Sequence, residues 1–174
     1  MDSNICNSYK RIIKQKLSYL FTQHDFRFVS CETFKSGEYC NVTLSSPHAK
    51  LWINFEYGFP AIMIGHPQAS FDTAFFSTDD TYWFGLGELI AYFDNEPVSR
   101  LLTTSPSSPL PNDEMEAAAK SLQEISEDIQ SHCDRLLSFF QEACFEEQVA
   151  EFNKWRSRRR SEFQKLVNKR SQLK

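Results

Sequence analysis

No apolar run in this chain approaches the about 18 residues that a bilayer-crossing helix needs, so no membrane span is expected. The opening MDSNICNSYK lacks the apolar stretch of a secretory signal, and the five cysteines include no CxxC pair. Free thiols in a reducing cytosol are the expectation from that pattern, so the chain is read as cytoplasmic. Catalytic signatures are missing as well. There is no GxSxG, no P-loop and no GxGxxG, because Gly85 and Gly87 lack a third glycine and follow no expected strand. His24, His48, His66 and His132 are scattered, none at a metal-ligand spacing from another His, Cys or carboxylate. The expectation is no enzyme, no cofactor and no metal. From Asn112 onward glycine and proline are absent too, which leaves nothing there to break a helix.

What is present begins with a core. Hydrophobic residues make up 41% and aromatics 14%, which excludes a disordered chain. Most of the 16 phenylalanines precede residue 112, so the aromatic core is expected in the front part. The clearest stretch is Lys50 to Gly65. Leu51, Ile53, Phe55 and Tyr57 alternate with Trp52, Asn54 and Glu56, the period of a strand with one buried and one more open face. Gly58 and Pro60 supply a turn into Ala61 to Gly65, which makes an antiparallel hairpin.

Around that hairpin, Tyr9, Ile12, Ile13, Leu17, Leu20 and Phe21 recur at helical spacing and predict one amphipathic helix of about four turns. Phe26 to Thr33 and Tyr39 to Leu44 read as two more strands. The whole is expected to be α+β: a four-stranded antiparallel meander flanked by helices, with a long C-terminal helical segment. Pro67 to Thr81 reads as a loop, and Thr78 to Thr81 as the cap of a helix from near Tyr82. The prolines of Thr103 to Pro111 read as a linker. The expected division is therefore an α+β domain over 1–102, a linker over 103–111 and a helical segment over 112–174, packing on that domain or on another chain. Met115, Leu122, Ile129, Leu136 and Ala143 repeat every seven, with Ala118, Ile125, His132 and Phe139 in the second seam. That repeat suits a coiled coil, hence a homodimer, or one helix lying on the sheet. An unbroken helix to Lys174 would span roughly 95 Å at about 1.5 Å per residue. A break between Cys144 and Asn153, or a protruding helix, is expected instead.

Charge is sorted along the chain. Residues 1–111 carry 8 basic and 11 acidic groups, residues 112–151 carry 2 and 11, and residues 152–174 carry 9 and 1. The acidic stretch includes Glu124, Glu127 and Asp128, a solvated face or a surface steering a basic partner. In the basic stretch Arg156, Arg158, Arg159, Arg160 and Lys165 are candidates for gripping a nucleic-acid backbone, with Trp155 or Phe163 stacking on bases. Alternatively these cations complement the acidic helix before them. Trp52 and Glu56 share the more open strand face, which is either a binding surface or packed under the loop or the C-terminal helix, and Asp72, Asp79 and Asp80 follow in the loop. With Glu124, Glu127 and Asp128 they form the expected partner-binding set. An enzyme with carboxylates near Glu56 and Asp72 would require a deep polar pocket.

In layout, residues 9–95 resemble a class of small bacterial α+β proteins, some of them similar to immunity proteins that inhibit toxins. The resemblance lies in a helix, then FRFVSCETFKSGEYCNVTLSSPHAKLWINFEYGFPAIMIG, a loop and YWFGLGELIAYF. It implies non-enzymatic binding of one partner protein in the cytosol, and it carries no catalytic set. The expected function is a protein-binding module, of the immunity type, whose acidic surface engages a basic partner. The alternative is a nucleic-acid-binding protein acting through the basic C-terminal helix.

Overall fold

The computed structural model describes residues 2–34, 39–71, 82–96 and 114–171. Two helices, α1 (Asp2–Lys16) and α2 (Ser18–Gln23), precede the strands β1 (Arg27–Phe34), β2 (Tyr39–Ser45), β3 (Lys50–Glu56), β4 (Phe59–Gly65) and β5 (Trp83–Gly85). Three helices follow: α3 (Leu86–Phe93), α4 (Glu114–Phe139) and α5 (Phe145–Ser171). The fold is α+β, and its single sheet is antiparallel in the order β1-β2-β3-β4-β5. The expected four-stranded meander is thus corrected to five strands. Trp83–Gly85, expected to open a helix, pairs instead with β4 through Gly65↔Trp83 and Met63↔Gly85. Gly65 permits this, because a Cβ there would lie 2.7 Å from the Trp83 ring.

The β3–β4 hairpin follows from its turn. Tyr57 and Gly58 both have positive φ, 49° and 82°, the twist that a two-residue hairpin loop needs. A side chain on Gly58 would also strike the Glu114 carbonyl at 2.3 Å, so the turn abuts the start of α4. At the other side of the sheet the register of β1 on β2 shifts between Phe28 and Ser30. Val29 is the extra residue and points outward, 56% exposed. The Ser30 amide donates to Thr43 Oγ1 at 3.0 Å.

Alternation decides which face is covered. Cys40, Val42 and Leu44 of β2, Leu51, Ile53 and Phe55 of β3, and Ile62 and Ile64 of β4 are buried in one core with Tyr9 and Ile13 of α1 and Ala118, Leu122 and Ile129 of α4. The Tyr9 ring stacks on Phe55 at 4.2 Å. Each such side chain contributes about 1.5–3 kcal/mol when removed from water. Ser126 on α4 donates to the Lys16 carbonyl at 2.7 Å, so the polar end of α1 is closed by α4.

The first helix is two pieces, since Leu17, at φ −110° and ψ 34°, interrupts it. The C-terminal segment is also two helices, broken at residues 140–144, just before the expected interval. Three tight turns, Phe140→Leu137, Gln141→Ser138 and Cys144→Gln141, redirect the chain. Phe139, Phe140, Phe145 and Phe152 are buried on either side of this break, around Phe84 of β5. The aromatic core therefore spans the sheet end and both C-terminal helices, beyond the front part where the sequence placed it. The expected linker and the cap at Thr78 to Thr81 lie outside the described residues.

Candidate functional site

The partner-binding residues expected from sequence fall on different sides of the molecule. Trp52 is not on an open face. It is buried with Ala69 and Trp83, and Met63 and Phe71 pack against them, because residues 66–71 fold over that end of the sheet. Trp83 Nε1 donates to the Ser70 carbonyl at 2.8 Å, Lys50 Nζ donates to the Ala69 carbonyl, and its ammonium sits over the Phe71 ring. Glu56 is exposed at the opposite end of β3, where Oε1 accepts from the Tyr39 hydroxyl at 3.1 Å. The register aligns Phe34, Tyr39, Glu56 and Phe59 in one row across four strands. Phe34 and Phe59 in that row are among the exposed large apolar side chains. Asp72, Asp79 and Asp80 lie outside the described residues.

Glu124, Glu127 and Asp128 are exposed on α4, on the other side of the sheet from Glu56. Helical spacing puts them on the face opposite the buried stripe of Leu122, Ser126, Ile129 and Cys133. Among the described residues no ion pair joins an α4 carboxylate to an α5 cation. The basic residues have other uses. Arg156 Nη2 donates to Glu88 Oε2 of α3 at 2.7 Å and its Nε to Oε1 at 3.4 Å. Arg159 is buried, donating from Nη1 to the Glu96 carbonyl at 3.2 Å with its guanidinium over the Trp155 ring. Trp155 is itself stacked on Phe152 and edge-on to Tyr92, so it is not a free platform for a base. Arg158, Arg160 and Lys165 are exposed. Between α3 and α5 runs a groove of about 460 Å³, bounded by Gly87, Ala91, Trp155, Arg159, Arg160 and Phe163.

Chemistry-bearing side chains also meet where sequence spacing gave no sign. Cys6, Cys31 and Cys40, from α1, β1 and β2, place their sulfurs within 4.8 Å of one another, and Cys31 and Cys40 are 3.6 Å apart. Burial, with the neighbouring Cys31, pushes the Cys6 thiol up to about 11. The Cys40 sulfur and burial push Cys31 up as well. The signal available in the sequence was only that Cys31 and Cys40 lie in two strands that follow one another in the chain. Cys133 Sγ lies 3.2 Å from His24 Nε2, a cysteine–histidine pair on α4 and after α2. Burial, then Asp134, pushes this thiol up to about 11, the reverse of what activates a nucleophile.

Two histidines are tuned in opposite senses. Burial pulls His132 down, but the Asp94 carboxylate, 2.9 Å from Nε2, and the Asp128 carbonyl, 2.9 Å from Nδ1, outweigh it and leave a raised value. Both ring nitrogens thus have acceptors, which favours the imidazolium. His66 is lowered by burial first and by the Lys50 charge, against Glu142, and it packs 4.5 Å from the Phe145 ring.

Comparison of the chain with known protein families, with curated proteins and with solved structures finds no match. No helix among the described residues is long and apolar enough to cross a membrane.

Proposed function

We propose that the protein is a non-enzymatic, cytosolic protein-binding module that presents the acidic outer face of α4 to a basic partner. The observation that carries this reading is the unmatched charge on that face. Glu124, Glu127 and Asp128 are exposed, and among the described residues no ion pair with α5 neutralises them. A surface left charged in this way raises the encounter rate with a positive surface and loses that advantage in salt. The finer reading is an immunity-type inhibitor whose carboxylates occupy the phosphate-binding surface of a nucleic-acid-cleaving enzyme. The aromatic row through Glu56 offers a second, apolar contact surface on the opposite side.

The test is capture from an extract of the native host at low and high salt, by the wild-type chain and by Glu124→Gln/Glu127→Gln/Asp128→Asn. Retention of one strongly basic protein by wild type at low salt, lost in high salt and lost by the variant, supports the reading. Equal capture by the variant, or no basic protein at all, sinks it. The nucleic-acid reading keeps exposed Arg158, Arg160 and Lys165. It requires binding of a generic oligonucleotide that weakens steeply with salt and is lost in Arg158→Gln/Arg160→Gln/Lys165→Gln.

A further inference from the structure

We infer that Cys6, Cys31 and Cys40 form a three-sulfur binding site for one soft monovalent d10 ion, copper(I). Three separate elements deliver the ligands. Cys31 pairs with Val42 in the β1–β2 register, two residues along β2 from Cys40, so both sulfurs lie on the face that α1 covers. Cys6 reaches them from the second turn of α1. In a planar trigonal thiolate complex with metal–sulfur bonds of about 2.3 Å, the sulfurs sit about 4 Å apart. The separations here, 3.6 Å for one pair and no more than 4.8 Å for any, reach that arrangement with side-chain shifts of a few tenths of an ångström.

The alternatives fit less well. A disulfide between Cys31 and Cys40 would join diagonal cross-strand neighbours, whose Cα atoms are typically about 7–8 Å apart, beyond the usual disulfide span of roughly 4.4–6.8 Å. Structural zinc takes four ligands, and this cluster holds three. Three soft sulfurs, with no fourth ligand side chain gathered with them among the described residues, select copper(I). Binding needs no oxidant: three thiols release three protons and three copper–sulfur bonds form, leaving a complex of charge −2. Lys10 lies on the same solvent-open hollow of about 540 Å³, together with Cys6, Cys31 and Glu32, where its ammonium offsets that charge and the hollow gives the ion a way in.

The test uses the reduced full-length chain under anaerobic conditions, titrated with copper(I) held by a competing chelator such as bicinchoninate. One ion per chain, with X-ray absorption showing three sulfurs at about 2.3 Å, is the expected result. Cys6→Ser and Cys31→Ser should each weaken retention by at least roughly a hundredfold, more than the loss of a supporting residue around a ligand. Cys133→Ser and Cys144→Ser should retain it fully. Cys6 is half-buried on a helix, so its variant is the one to judge by, with circular dichroism verifying that the apo chain is folded. No transfer from the chelator, unchanged retention in Cys6→Ser, or retention of zinc in preference to copper(I) overturns the inference.

Discussion

Helices α4 and α5 are nearly equal in length, 26 and 27 residues, yet they are held to the body in different ways. In α4 a buried stripe runs from Ala117 and Ala118 through Leu122, Ser126, Ile129, Cys133 and Leu136 to Phe139. Among the described side chains of α5 the buried apolar residues are Phe145, Val149 and Phe152, and residues 160–165 are all exposed. Between these halves Trp155 packs on Phe152 and Tyr92, and the remaining ties are cationic: Arg156 to Glu88, and Arg159 to the Glu96 carbonyl and Trp155. Helices of equal length thus differ in stability along their axes, because apolar burial, and not hydrogen bonds within the helix, decides how firmly each turn is held.

The two helices are most alike at their shared aromatic centre. Phe139→Ala on α4 and Phe152→Ala on α5, both 0% exposed, should each cost about 4 kcal/mol in denaturant unfolding, since at that depth the two helices are equivalent. Gly58→Ala should cost about 3 kcal/mol, because it places a Cβ at positive φ and drives it into the Glu114 carbonyl at the start of α4. The Arg156–Glu88 pair is partly exposed, so Arg156→Gln should cost only about 0.5 kcal/mol and less in high salt. Phe163→Ala, at 38% exposure, should change stability by under about 0.5 kcal/mol. A loss near that of Phe152→Ala would mean that the distal half of α5 is covered in solution.

Histidine sharpens the same contrast through pH. His132 is raised in the folded state, so its contribution is present in full below about pH 6.5 and is lost as the pH climbs through the raised folded value. His66, at the sheet end, is lowered, so its contribution is present above about pH 6.5 and is lost as the pH falls through the depressed value. Unfolding of His132→Gln and His66→Gln against wild type across that range should therefore differ in opposite directions.

The central hairpin was legible because Leu51, Ile53 and Phe55 alternate cleanly and Gly58 marks the turn. The period gave the buried face of β3 but not the fate of its other side. Trp52 was read as lying on the less buried face, either as a partner contact or as packed under the loop, and the return of residues 66–71 with Trp83 over it decides for packing. β5 escaped notice because three residues cannot establish a twofold period, and Trp83 joined to Leu86 imitates a helical one. The break before α5 was expected from length, but its place depended on where the phenylalanines find a cavity, a tertiary matter. Sequence spacing was silent on the thiol cluster for the same reason. Cys6 is brought to Cys31 and Cys40 by the docking of α1 on the first two strands, and no local pattern encodes that meeting.

The bulge at Val29 also bears on how copies of this chain could assemble. A strand arriving from a second molecule would need an unbroken row of donors and acceptors along an outer margin. The displaced residue interrupts that row on β1, and on the far side, among the described residues, β5 pairs with Met63 to Gly65 of β4, while Pro60 offers no amide. Growth of the sheet by added strands is thereby discouraged at both margins.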